Sequence, residues 1–126
     1  MAAIAQHGNG GAHQIGMVVD DDVAVRESVA AVLEDVCDEV YQASDGMEGL
    51  QVLDEHPDIS LVITDIAMPR LDGIAFASAA RRLYPGLKVL FVSGMQRPPD
   101  SERFLEKPFP LRDLVSAVHQ LLEAAY

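Results

Sequence analysis

Four aspartates, a serine and a lysine stand at the ends of short runs of apolar or mixed residues. Ile15–Val19 stops at Asp20, Asp21 and Asp22. Ile59–Thr64 stops at Asp65, Leu87–Val92 at Ser93 and Gly94, and the mixed segment Arg103–Glu106 at Lys107. Several carboxylates placed together repel one another and call for a cation. Hard oxygen ligands favour Mg²⁺, which typically takes one or two carboxylates, waters and substrate phosphate oxygens. A carboxylate is also a nucleophile toward phosphorus, giving an aspartyl phosphate. Phosphoryl transfer needs chiefly positioning and charge neutralisation. A divalent cation, an ammonium and a hydroxyl are suitable partners for the transferred group.

Each residue also has an ordinary reading. Asp20–Asp22 can be the turn and N-cap of the helix that follows. Asp65 can cap a loop toward Gly73, Ser93-Gly94 can be a turn, and Lys107 before Pro108 can be a surface lysine. The combination weighs more than its parts, because each residue sits at the same end of its strand. In an open parallel sheet, that end is where ligands bind.

The elements that must position these groups are legible in the apolar pattern. Ile15–Val19, Ile59–Thr64 and Leu87–Val92 are continuous apolar runs, which suit strands buried on both faces of a parallel sheet. Glu39–Ala43 and Arg103–Glu106 mix polar with apolar residues and read as edge strands. Four helical stripes fall between and after the runs. They are Val25 to Val36, Leu50 and Leu53 behind an Asp45/Glu48 capping box, Ile74 to Leu83, and Leu111 to Leu122. Strands alternating with helices predict an α/β fold, a doubly wound parallel sheet of five strands with helices on both faces. Between Ser93 and the last strand lie Gly94–Glu102, which include Pro98-Pro99. A crossover with its own helix usually needs at least about 10–12 residues, and proline blocks a helix interior, so at most one helical turn is expected there.

Composition narrows the class. A chain of 126 residues suits one domain. Residues 1–14, with three glycines and two histidines, read as a flexible N-terminal tail, and 15–126 as the domain. The single cysteine, Cys37, excludes an internal disulfide framework and a cysteine-based zinc site. A net charge of −11 opposes nucleic-acid phosphates and anionic lipid, so neither nucleic acid nor membrane is an expected partner. No apolar run or basic leader suggests membrane insertion or secretion, and a cytoplasmic location is expected.

The motifs VVDDD (18–22), LVITDIAMPRLDG (61–73), VLFVSG (89–94) and FLEKPF (104–109) together resemble the receiver domain of two-component response regulators, over about residues 15–124. The resemblance implies the flavodoxin-like receiver fold with strand order 2-1-3-4-5, one of the two common orders of doubly wound sheets. It implies Asp65 as phosphoacceptor. Mg²⁺ would be held by Asp21, Asp65 and the backbone carbonyl of Ala67, with Asp20 in the outer shell. Ser93 and Lys107 would bind the phosphoryl group, and Phe104 would be the aromatic switch that follows Ser93. It also implies a cis Lys107–Pro108 bond, at the residue type where such bonds concentrate. The partner implied is a histidine kinase or phosphotransfer protein, with an unknown protein target and a homodimer among the possibilities.

Two features depart from the family. The step from Ser93 to Lys107 is about two helical turns short, so the fourth helix of the family reads as shortened or missing. That helix belongs to the family's output surface. No effector segment follows the last helix, so the signal passes to a separate protein or the chain is a piece of a longer one. Arg70 reads as a solvent-facing charge near the pocket mouth, His119 as an ordinary helix residue, and Cys37, Met47, Met68 and Met95 as packing or loop filler.

Three functions follow in order. The first is a phosphoryl-accepting switch in a His-Asp phosphorelay, self-phosphorylating at most and not an enzyme. A receiver excised from a hybrid histidine kinase is a variant of it. The second is a receiver-like interaction module that does not switch. The third is a Mg²⁺-dependent phosphatase, disfavoured because a dehalogenase-type site would carry a second Asp where Ala67 stands.

Overall fold

A computed structural model describes residues 13–123. In chain order the elements are β1 (Ile15–Val19), α1 (Val23–Glu34), β2 (Glu39–Ala43), α2 (Gly46–Glu55), β3 (Leu61–Asp65), α3 (Gly73–Leu83), β4 (Lys88–Ser93), β5 (Phe104–Glu106) and α4 (Leu111–Glu123). The strands form one sheet in the order β2-β1-β3-β4-β5, and every pairing is parallel. This is the five-stranded doubly wound sheet expected from the continuous apolar runs.

Alternation along the central strands feeds two cores. Met17, Val19, Val62, Val89 and Phe91 pack with Leu53, Phe76, Ala77 and Ala80 of α2 and α3. Val18, Leu61, Ile63, Leu90 and Val92 pack with Val29 and Leu33 of α1 and Leu114, Val118 and Leu121 of α4. β1 and β3 are buried along their whole length, whereas β2 and β5 are only partly so, as edge strands are.

The fourth helix in chain order is complete. α4 runs for 13 residues with its apolar stripe buried against the sheet, so the fold keeps a complete fourth helix in chain order, and what lacks a helix is the β4–β5 connection, as the short step from Ser93 to Lys107 predicts. The shortness of the Ser93–Lys107 step falls on residues 94–103, an irregular connection between β4 and β5. The Glu102 N–H donates to the Pro99 carbonyl at 2.9 Å, and the Glu102 carboxylate takes both ends of the Arg81 guanidinium at 2.8 Å, tying the connection to α3. The proposed tail falls mostly on residues 1–12, outside the described residues. His13 and Gln14 are tied to the domain: the His13 ring lies 3.1 Å from Asp38, and the Gln14 N–H donates to the same carboxylate.

Aspartates start three of the helices. Asp22 accepts from the Ala24 and Val25 amides, and Asp72 from the Ala75 amide. Asp45 accepts from the Glu48 amide at 2.9 Å, the forward half of a capping box. The return half reaches one residue further back than usual, with Glu48 accepting from the Ser44 amide and hydroxyl at 2.6 and 2.8 Å. The Glu48 amide, with Arg70 adding to it against the pull of burial, holds the Asp45 carboxyl below the ordinary carboxylate range. The Ser44 amide and hydroxyl do the same for Glu48.

For groups lowered in this way, the stabilisation is present above the ordinary carboxylate range and is lost as pH falls through the folded-state values. Urea melts between pH 7 and about pH 2.5 are therefore expected to show stability falling below about pH 4. Asp45→Asn keeps a capping oxygen but does not titrate. It loses only the charge that faces the exposed Arg70, and should cost less than about 1 kcal/mol at neutral pH while flattening the acid limb of the curve. An unchanged acid limb would contradict this account.

Candidate functional site

The carboxyl ends of β1, β3 and β4 bring Asp20, Asp65 and Ser93 to one edge of the sheet. Asp65 is register partner to Val92, so Ser93 lies one step beyond it on the neighbouring strand. Asp20 is 1% exposed, Asp65 7% and Ser93 2%, which is unusual burial for carboxylates. One carboxylate oxygen from each of Asp20, Asp21 and Asp65 lies within 4.8 Å of the others.

Lys107, at the end of β5, enters this acidic group. Its ammonium donates to Asp20 Oδ2 at 2.9 Å and stands 3.6 Å from Asp65 Oδ2. The Lys107 N–H donates to the Ser93 carbonyl at 2.9 Å, so β5 delivers the ammonium from a backbone tied to β4. The Lys107–Pro108 bond is cis.

Each aspartate is held by further contacts. Asp20 Oδ1 accepts from the Asp22 amide at 2.9 Å, and the Asp20 carbonyl accepts from Arg26 at 2.9 Å. Both Asp20 oxygens are thus engaged by the protein. Asp65 Oδ1 accepts from the Ile66 amide at 2.8 Å. Asp21 is exposed. Three hard oxygen donors so close together, two of them buried, fit a small divalent cation.

Burial raises the Asp65 carboxyl above its ordinary range, and Asp20 and Asp21 push the same way while Lys107 opposes. Burial alone would lower the Lys107 ammonium, but the Asp20 hydrogen bond, with the charges of Asp20 and Asp65, raises it.

Ala67 is exposed in the loop between β3 and α3, two residues past Asp65. The Ser93 hydroxyl accepts from the Gln96 amide at 3.2 Å, which leaves its proton free to donate. Phe104 opens β5 opposite Phe91, half-buried, with the Arg97 guanidinium 4.8 Å from its ring centroid. Met95 does not pack under the connection: it is 93% exposed. Met47 is also largely exposed. Cys37 is buried, and burial raises its thiol to about 11, so it is a packing residue.

Arg70 is not merely solvent-facing, because its guanidinium grips Asp45. Sequence reasoning missed this pair, and it missed Arg26 on the Asp20 carbonyl. The partners stand 25 and 6 positions apart, and no periodic signal joins either pair.

The family profile of the response regulator receiver domain matches residues 17–119. The chain belongs to the response regulator receiver domain family. It is 36% identical over 117 residues to the response regulator receiver protein CpdR of Brucella abortus (strain 2308), covering 86% of this chain and 97% of CpdR. It is 32% identical over 116 residues to the sensor kinase CckA of the same organism, where the match spans only 12% of that protein. Among solved structures, the receiver domain from hybrid histidine kinase CckA superposes with a TM-score of 0.76 at 34% identity, covering 86% of this chain and 99% of that one.

The receiver's acidic centre carries an electrostatic cost that substitution can expose. Asp65→Asn removes one of three mutually repelling carboxylates and is expected to raise the melting temperature of the metal-free protein. Lys107→Met leaves the buried Asp20 charge without its ammonium and is expected to cost up to about 3–5 kcal/mol. Thermal and urea melts in EDTA check both signs. A destabilised Asp65→Asn would show that carboxylate repulsion does not dominate the pocket.

Proposed function

We propose that this receiver domain accepts a phosphoryl group on Asp65 from a histidine kinase or phosphotransfer protein, and so changes its affinity for a protein target. One observation carries the reading. A buried carboxylate at the end of β3 faces an ammonium 3.6 Å away and shares its pocket with two further carboxylates.

In the reaction, an Asp65 oxygen attacks phosphorus, the P–N bond of the donor phosphoimidazole breaks, and the leaving imidazole takes up a proton. Asp21, Asp65 and the Ala67 carbonyl would hold Mg²⁺, which neutralises phosphoryl oxygens when bound. Asp20, with both oxygens already engaged, suits an outer-shell role. Lys107 would pair with the phosphoryl group and Ser93 would donate its free proton. Movement of Ser93 would then be passed to Phe104.

The domain turns over only its own carboxylate, so it is not an enzyme acting on an external substrate. An apolar groove of about 580 Å³ between α1 and α4, lined by Val25, Val29, Phe109 and Leu111 and bordered by Lys107, supports a protein donor. A cytoplasmic location goes with that partner. Among the described residues, no helix is long and apolar enough to cross a membrane. The likeness to the CckA receiver also supports a place within a hybrid kinase as a second reading.

Intact mass after incubation with Mg²⁺ and acetyl phosphate tests the central step. A single phosphoryl adduct is expected on the wild type and none on Asp65→Asn. No adduct on the wild type, with acetyl phosphate and with a cognate kinase, would favour the non-switching interaction module.

A further inference from the structure

Arg70 combines three features that do not come together by default. Its φ is +69°, the only positive φ at a non-glycine among the described residues. The Leu71 N–H donates to the Pro69 carbonyl at 2.8 Å, so Arg70 is the central residue of a γ-turn of the rare, strained hand. For a side chain with a Cβ, that backbone costs about 1–3 kcal/mol and persists only where the surroundings hold it.

What holds it is Asp45. Arg70 Nε and Nη2 reach Asp45 Oδ2 at 2.8 and 2.7 Å. The Asp45 side chain is only 8% exposed, and its other oxygen caps α2. The turn is further confined by close backbone packing. A Cβ on Gly46, the first residue of α2, would meet the Leu71 carbonyl at 2.6 Å, and one on Gly73 would collide with the Asp65 carbonyl. The Gly73 N–H closes the loop on the Ile66 carbonyl at 2.8 Å. Residues 66–73 are thus bound at their base by Gly73 and at their tip by Arg70.

We infer that Arg70 is a positioning residue for the divalent-cation site: its grip on the α2 cap holds the β3–α3 loop in the strained turn and so fixes the Ala67 carbonyl beside the Asp20, Asp21 and Asp65 carboxylates. This rests on the reading of that pocket as a Mg²⁺ site. Arg70 touches neither cation nor phosphoryl group. It acts by removing the freedom of the backbone that does, and rigidity gained before binding is affinity gained on binding.

The sign of one measurement separates this role from a plain charge effect. By Coulomb's law, deleting a cation near three carboxylates strengthens Mg²⁺ binding, whereas releasing the loop weakens it. Calorimetric titration of MgCl₂ into the metal-free full chain, in about 150 mM salt to damp long-range charge, compares wild type with Arg70→Ala, Arg70→Gly and Arg70→Lys. Binding about three- to tenfold weaker is expected for the alanine and glycine variants, the latter because glycine enters the turn freely but leaves it as freely. Arg70→Lys, which keeps a cation for Asp45, should return most of the affinity. Metal-free melts of the same variants report any loss of fold separately.

Equal or tighter binding by Arg70→Ala, with the wild type binding normally, overturns the role of Arg70 alone. Absence of Mg²⁺ binding by the wild type overturns the metal reading and this inference with it.

Discussion

The ammonium of Lys107 is the counterweight that lets buried carboxylates collect at one end of the sheet. Asp20 and Asp65 are almost fully withdrawn from water, and Asp21 stands beside them. Without a cation such an arrangement would protonate or come apart. Lys107 reaches both buried carboxylates because β5 pairs with β4 in a register that ends with Ser93 opposite Glu106, one residue before the lysine. The parallel topology therefore creates the electrostatic problem and also delivers the group that relieves it. What remains is an acidic centre with negative charge to spare, which is the state a divalent cation can exploit.

The loops around this centre are held by packing rather than by regular structure. α2 and α3 approach closely enough that Gly46 packs on Leu71 and Gly49 on the ring of Phe76. The Asp45 cap serves α2 with one oxygen and Arg70 with the other. One carboxylate thus links the start of α2 to the loop that follows β3. The stability of α2 and the geometry of the site are coupled through it.

On the other side, the connection from β4 to β5 makes a surface of its own. Arg81 and Glu102 tie it to α3, the Ser93 hydroxyl accepts from its Gln96 amide, and Arg97 lies over Phe104 and within 3.8 Å of Glu106. The connection is therefore an irregular strap held by polar contacts. Met95, almost wholly exposed, stands out from it.

The apolar runs and stripes of the sequence determined the fold class, the strand order followed from the family motifs, and the candidate residues were legible because each ends a strand. Period and position along a strand are local properties, and a strand end in a parallel sheet has only one place to be. The length of the Ser93–Lys107 step was equally plain. That the shortening falls on an irregular connection, with α4 complete, depends on which segments have an apolar stripe to bury. The grip of Arg70 on Asp45, the seat of Arg26 on the Asp20 carbonyl and the strap of Arg81 on Glu102 were decided only in three dimensions. Such contacts join residues from different elements, and their partners are chosen by how helices pack on the sheet rather than by spacing along the chain.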